Sequence, residues 1–166
     1  MSLSVYSKRQ QTLGLLLFFA VTFCAAAIGS VGSMNAPQFY RELTLPDWAP
    51  PGWLFGPVWT LLYSLMAIAA WLVWRSASLN TTARAMQLYA VQLVLNALWS
   101  WLFFAWYLGA AAMVEILLLW VAIVVTMLQF NKHSRLACWL LLPYLLWVSF
   151  ASVLTYSLWQ LNPHLL

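Results

Sequence analysis

Charge is what this chain most lacks. Only 6% of its 166 residues are Asp, Glu, Lys or Arg, against about 25% in soluble domains. A soluble fold of this length cannot cover its surface with so few charges, so lipid is the solvent for most of the chain. Acids are scarcest, three against seven basic residues, for a net charge of +4. The basic residues are scattered near the ends of apolar runs, which fits topology signals and excludes a nucleic-acid-binding stripe. Cysteine is nearly absent. Cys24 and Cys138 both lie within apolar runs, so there is neither a disulfide framework nor a metal site, and both read as small apolar residues. The two histidines, His133 in a basic connection and His164 near the C-terminus, have no nucleophile or metal partner. No glycine-rich phosphate loop occurs. No conventional catalytic constellation is present, and no cofactor is required. The apolar runs also lack the period-two alternation of a membrane β-barrel.

What is there is apolar helix. The chain is 65% hydrophobic, and five stretches, about 12–33, 55–74, 84–106, 109–130 and 136–159, are each long enough at ~1.5 Å per residue to cross a ~30 Å hydrocarbon core. The expected fold is an all-α integral membrane bundle of five transmembrane helices, a single domain over 1–166, with a long loop at 34–54 between the first two. Short later connections make consecutive helices antiparallel neighbours. Lys8, Arg9 and the run to Cys24-Ala27 resemble a secretory signal, but the apolar run continues to about Val31, which suits an uncleaved span.

Lys8 and Arg9, Arg75 and Arg84, and Lys132 and Arg135 fall on one side of a five-span chain. The other side carries one basic residue, Arg41, beside Glu42 and Asp47. The positive-inside rule then puts the N-terminus in the cytoplasm and the C-terminus outside. Apolar helices favour a bacterial inner membrane, since outer-membrane proteins are usually barrels.

Of the twelve tryptophans, Trp74 and Trp139 lie near inner helix ends, and Trp53, Trp106 and Trp159 near outer ends, as interfacial belts require. Trp120 and Trp147 instead lie mid-span. A midplane indole needs a partner for its N–H or a cavity to face. Polar residues inside the spans are few and therefore informative. Gln92 and Asn96 share a face of span three with Trp99 and Phe103, either as interhelical glue or as part of a site. Glu115, the one acid inside a span, reads as an interfacial carboxylate or as a buried acid lining a cavity. Pro143 predicts a kink in span five about one turn below Trp147. Ala25, Gly29 and Ser33 recur every four residues and permit close helix approach, within the chain or in a dimer.

Depth brings these groups together. Asn96, Glu115, the pair Trp59 and Tyr63, and the pair Trp147 and Ala151 all fall in the outer half of the bundle, beneath the first loop. About twenty residues is long for a connection in a compact bundle. Stiffened by Pro46, Pro50, Pro51 and Pro57 and carrying Trp48, Trp53 and Phe55, the segment reads as a lid over an aromatic cavity suited to a large flat hydrophobic ligand. The simpler alternative is an interfacial plug.

Tyr40 and the run Leu45 to Tyr63, LPDWAPPGWLFGPVWTLLY, resemble the first-loop and second-helix signature of the tryptophan-rich sensory proteins. These are the bacterial relatives of the mitochondrial translocator protein, or peripheral benzodiazepine receptor. Gln92, Asn96, Trp99, Phe103 and Phe104 match the family's third helix, and Pro143, Trp147, Phe150 and Ala151 its fifth. The likeness runs from about Ala36 to Asn162.

The resemblance implies binding of porphyrins such as protoporphyrin IX, and haem, as ligands. It implies a homodimer, tetrapyrrole transport or stress sensing and, as an alternative, light-dependent protoporphyrin degradation. A structural or partner-binding role is a third reading. The pocket residues it implies are Tyr40, Trp48, Pro50, Trp59, Tyr63, Asn96, Trp99, Trp147 and Ala151. Trp59 and Trp147 would take part in any photochemistry, and Glu115 stands where relatives carry an acid. With the in-span polar groups Gln92 and Glu115, these make up the candidate ligand site. The family's sterol motif departs here. Leu154 and Tyr156 are present, but the basic position falls at about Gln160, and Thr155 replaces a common Asn. Specific cholesterol binding is therefore not expected.

Overall fold

A computed structural model of the chain describes residues 6–166. Among them there is no strand, and five helical segments are long and apolar enough to span a bilayer.

Span one is α1, Lys8–Gly32. It starts before the apolar run because Ser7 and Gln10 form a capping box. The Gln10 amide donates to Ser7 Oγ (3.3 Å) and the Ser7 amide to Gln10 Oε1 (2.8 Å), which satisfies two otherwise orphaned N–H groups. A short helix follows in the first loop, α2, Ala36–Glu42, with a proline in its first turn. A 3₁₀ turn, Gly52–Leu54, then leads into α3, Phe55–Trp74, which is span two.

Span three is α4, Leu79–Ser100, which starts five residues ahead of the sequence-based boundary. It ends in a π turn over Trp101–Ala105, closed by Trp106 N–H donating to the Trp101 carbonyl and Leu108 N–H to that of Leu102, both at 2.9 Å. Span four is α5, Gly109–Asn131. Span five is two helices, α6 (Arg135–Leu140) and α7 (Leu142–Leu161). The break at Leu141 is the Pro143 effect. Proline lacks an N–H and crowds the carbonyl four residues back, so it breaks or kinks a helix interior but suits a first turn, here that of α7.

The spans form a closed ring. α1 packs on α3 and α4, α4 on α5, α5 on α6 and α7, and α6 returns to α3. Span two is thus in closer contact with spans one and five than with span three, although only a short connection separates it from span three.

Indoles set much of the spacing. Trp71 Nε1 donates to the Gln11 carbonyl (2.8 Å) and Trp101 Nε1 to that of Ile28 (3.0 Å). These tie the start of α1 to the last turn of α3, and the end of α1 to the π turn that follows α4. Gly32 is required by the second tie, because a Cβ there would collide with the Trp101 ring. Gly109 likewise lets Trp159 approach the start of α5. The small-residue stripe on α1 is used inside the chain, with Gly29 against Ala97 and Ser100 of α4.

The first loop is held down. Phe39 and Leu43 are buried in a cluster with Phe103, Ala112, Leu154 and Leu158. Asn162, just past α7, clamps its extended part. Asn162 Oδ1 accepts from Thr44 N–H (2.8 Å), and its Nδ2 donates to the carbonyls of Thr44 (3.0 Å) and Leu158 (2.8 Å). Underneath, Tyr107 takes a left-handed conformation, φ 55°, uncommon outside glycine, and sets its ring 4.6 Å from that of Phe39.

Candidate functional site

A cavity of about 870 Å³ lies beneath the lid, in the upper part of the ~300–1,000 Å³ range of small-molecule sites. Its floor is a polar relay across three helices. Tyr63 of α3 donates its hydroxyl to Asn96 Oδ1, and Asn96 Nδ2 donates to the Tyr144 hydroxyl of α7 (3.1 Å). All three side chains are buried, so the relay meets the need of each for a partner away from water. Above it the wall is aromatic: Phe55, Trp59, Trp99, Phe104 and Trp147. Trp59 tilts over Tyr63 with centroids 5.4 Å apart, and Phe55 meets Trp147 edge-on at 5.9 Å. Ala151 leaves room at the α7 wall. On the α1 and α3 sides the lining includes Ala27, Ser30, Gly56 and Thr60, all exposed, so the cavity opens laterally between those two helices.

The roof is α2 and the 3₁₀ turn. Tyr40 donates its hydroxyl to the Pro50 carbonyl (3.0 Å) and sets its ring edge-on to Phe55 at 5.7 Å. Burial raises the Tyr40 phenol above its usual value, so this brace stays protonated through the neutral range. Rim hydroxyls turn away from the cavity. Ser30, Ser33 and Thr60 donate to carbonyls of their own helices, a common device where backbone oxygens have no water. The indole N–H groups of Trp59 and Trp147 have no hydrogen-bond partner among the described residues and are available to a ligand.

The structure therefore brings together Tyr40, Trp59, Tyr63, Asn96, Trp99, Trp147 and Ala151 of the sequence-derived candidates. Four others lie outside the cavity wall. Pro50 is the acceptor that braces Tyr40. Trp48 is 48% exposed and sits edge-on to Phe150, 5.9 Å between centroids, on the outside of the lid. Gln92, one turn below Asn96, is 1% exposed, and Glu115 is 5% exposed. Neither has a hydrogen-bond partner among the described residues. Glu115 thus faces neither headgroup water nor the cavity.

The two mid-span indoles take the two fates open to them. Trp147 faces the cavity, and Trp120 donates to Ser149 Oγ of α7 (2.8 Å). Sequence reasoning missed Tyr144, Asn162 and Arg41. Tyr144 had a signal, since a mid-span tyrosine hydroxyl also needs a partner. In the sequence Arg41 serves only as a topology marker, yet it lines the cavity and is exposed at its rim.

An all-helical five-span membrane bundle with an aromatic cavity under its first loop is the class of protein defined here. The chain belongs to the TspO/MBR family, whose model matches residues 17–160. It is 43% identical over 157 residues to the tryptophan-rich protein TspO of Chlorobaculum tepidum, covering 90% of this chain and 97% of that one. It is 36% identical over 145 residues to the tryptophan-rich sensory protein of Cereibacter sphaeroides, covering 86% and 90%. It is 38% identical over 128 residues to the human translocator protein, covering 75% of each chain.

Proposed function

We propose that this protein binds flat, hydrophobic tetrapyrrole-type molecules in the cavity beneath its lid and serves their transport or a stress-sensing role. The observation that carries the reading is the cavity itself: about 870 Å³, walled by tilted and edge-on aromatic rings, with the Asn96 relay at its floor and the unengaged indole N–H groups of Trp59 and Trp147 as its inner donors. Broad apolar walls with a few placed polar groups are what a flat ligand of this kind needs. The names of the relatives, one a sensory protein and another a translocator, agree with this reading.

The wall contains no His, Cys or Met, which are the usual axial ligands of haem iron. Its Tyr63 and Tyr40 hydroxyls are spent on Asn96 and Pro50. A metal-free porphyrin such as protoporphyrin IX therefore suits the site better than haem. We further propose a bacterial inner membrane as its location, with the lid and C-terminus outside on the distribution of basic residues, and a homodimer as its working form.

The test is a protoporphyrin IX titration followed by tryptophan fluorescence. Wild type is expected to show saturable quenching, weakened about tenfold or more in Asn96→Ala and several-fold in Trp147→Phe, at the scale of losing one or two buried polar contacts. Absence of saturable quenching in wild type, or identical curves in all three proteins, contradicts the reading.

A second reading has one observation in its favour: Trp59 and Trp147 both line the same cavity, where a bound porphyrin excited by light in the presence of oxygen would lie against oxidisable rings. It predicts a new chromophore on illumination, lost in Trp59→Phe or Trp147→Phe while binding persists. Product formation at the wild-type rate in both variants rules it out.

A further inference from the structure

We infer that Arg41 orients the ligand, so that the site selects flat apolar molecules bearing a carboxylate and holds that carboxylate at the cavity mouth. The inference rests on the binding reading above and adds a polarity and a chemical class to it.

The helix α2 sorts its residues by face. Ala36, Pro37, Tyr40 and Arg41, at the i, i+1, i+4 and i+5 positions that share one side of a helix, line the cavity. Asn35, Gln38, Phe39 and Glu42 line a separate small hollow with Tyr107. The neighbouring acid is thereby turned away from the mouth, and Glu42 Oε1 accepts from Gln38 Nε2 at 3.3 Å. Asp47 is not in the cavity wall either, and no acidic side chain is.

Arg41 is exposed and has no ion pair among the described residues. Several other polar groups near the mouth are committed: Tyr40 donates to Pro50, and Ser30, Ser33 and Thr60 donate to their own helices. Those that are not, the Trp53 indole and the Ser100 hydroxyl, are neutral donors. One cation is thus the strong unengaged donor at the open end of an otherwise apolar space. A guanidinium presents a planar fork of N–H donors that matches a carboxylate two-on-two. A neutral ring system gains nothing from it. An amphiphile with an apolar body and an anionic end gains one charge-assisted contact, with its ring system against Trp59 and Trp147 and its acid at Arg41.

The experiment compares protoporphyrin IX with its neutral dimethyl ester, each titrated into the full-length protein in uncharged maltoside micelles, where no lipid phosphate competes for Arg41. Wild type is expected to prefer the free acid by roughly three- to tenfold, about what one partly exposed charge-assisted hydrogen bond supplies. The preference is expected to shrink as salt rises. Arg41→Gln should lose the preference by weakening acid binding alone, leaving ester binding as in wild type. Arg41→Lys should keep part of it, since it keeps the charge but loses the fork. Equal binding of acid and ester by wild type, or an unchanged preference in Arg41→Gln, overturns the inference while leaving the cavity reading intact. Failure of both probes to bind overturns both.

Discussion

Two asparagines do more to shape this molecule than any charged residue. Asn96 uses both ends of its amide, accepting from Tyr63 and donating to Tyr144, and so joins three spans at the cavity floor. Interhelical hydrogen bonds in membranes contribute about 0.6 kcal/mol on average and about 1.7 at most. Tyr144→Phe removes one of the two and keeps the ring, so it should cost about 0.5–1.5 kcal/mol with the fold intact, read as a lowered thermal midpoint in detergent. Asn162 makes three hydrogen bonds at the lid. Asn162→Ala is expected to speed amide exchange in residues 43–51 and to cost about 1–3 kcal/mol, with exchange inside α4 and α5 unchanged. Unaltered exchange at 43–51 would mean that the buried Phe39 and Leu43 hold the lid alone.

These residues differ in how far the sequence announced them. Asn96 was legible because an amide inside an apolar span has few uses. Trp120 and Trp147 were legible as indoles that need either a partner or a cavity, though not which would have which. Asn162 was not, because it lies beyond the last span, where a polar residue is unremarkable until Thr44 is seen beside it. Gln92 and Glu115 show the converse. Their rarity marked them as candidates, but which side of a helix meets the cavity depends on the ring order of the spans, and that order is set by long-range packing.

At the scale of elements, the departures from plain spanning helices help to position the site. The π turn at Trp101–Ala105 and the left-handed Tyr107 place Phe103 and Phe104 beneath the lid, and π geometry inside helices is often found at functional sites. The start of α7 after Leu141 is placed by Pro143, and the helix then carries Tyr144, Trp147 and Ala151 to the cavity. Pro143 gave its break away in sequence. The π turn did not, because its residues, Trp-Leu-Phe-Phe-Ala, are as apolar as a regular helix end.

Close approach at glycine is a second property of elements. A side chain at Gly32 would strike Trp101, whereas a Cβ at Gly56 meets nothing within 4 Å. Gly32→Leu should lower the thermal midpoint sharply, by an overpacking cost of about 1–3 kcal/mol. Gly56→Ala, within α3, should be neutral or stabilising by about 0.4–1 kcal/mol. Equal midpoints for the two variants would place the α1–α4 contact elsewhere.

For the whole molecule, scarcity of charge told the most. Six per cent charged residues left lipid as the solvent and helices as the means of crossing it, since each backbone group must find its partner within its own segment. The basic residues then sorted by side, with Lys8 and Arg9, Arg75 and Arg84, and Lys132 and Arg135 at one end of the ring and the lid at the other. Cysteine labelling tests the orientation that follows. In a background without Cys24 and Cys138, Trp53→Cys in the lid should react with an impermeant reagent applied outside. Asn131→Cys, at the basic end, should react only after permeabilisation. The reverse pattern would invert the proposed topology.

The central claim is that the space beneath the lid is where the ligand sits, and filling that space tests it most directly. Ala151 lines the cavity, while Val153, two residues on, is 57% exposed on the outer surface of α7. Protoporphyrin IX titrated into Ala151→Phe and Val153→Phe, each checked for wild-type helicity, should bind Val153→Phe as it binds wild type and bind Ala151→Phe at least about tenfold more weakly, the loss expected when an added ring occupies the ligand's own volume. Wild-type affinity in Ala151→Phe, or equal weakening in both variants, would contradict the account.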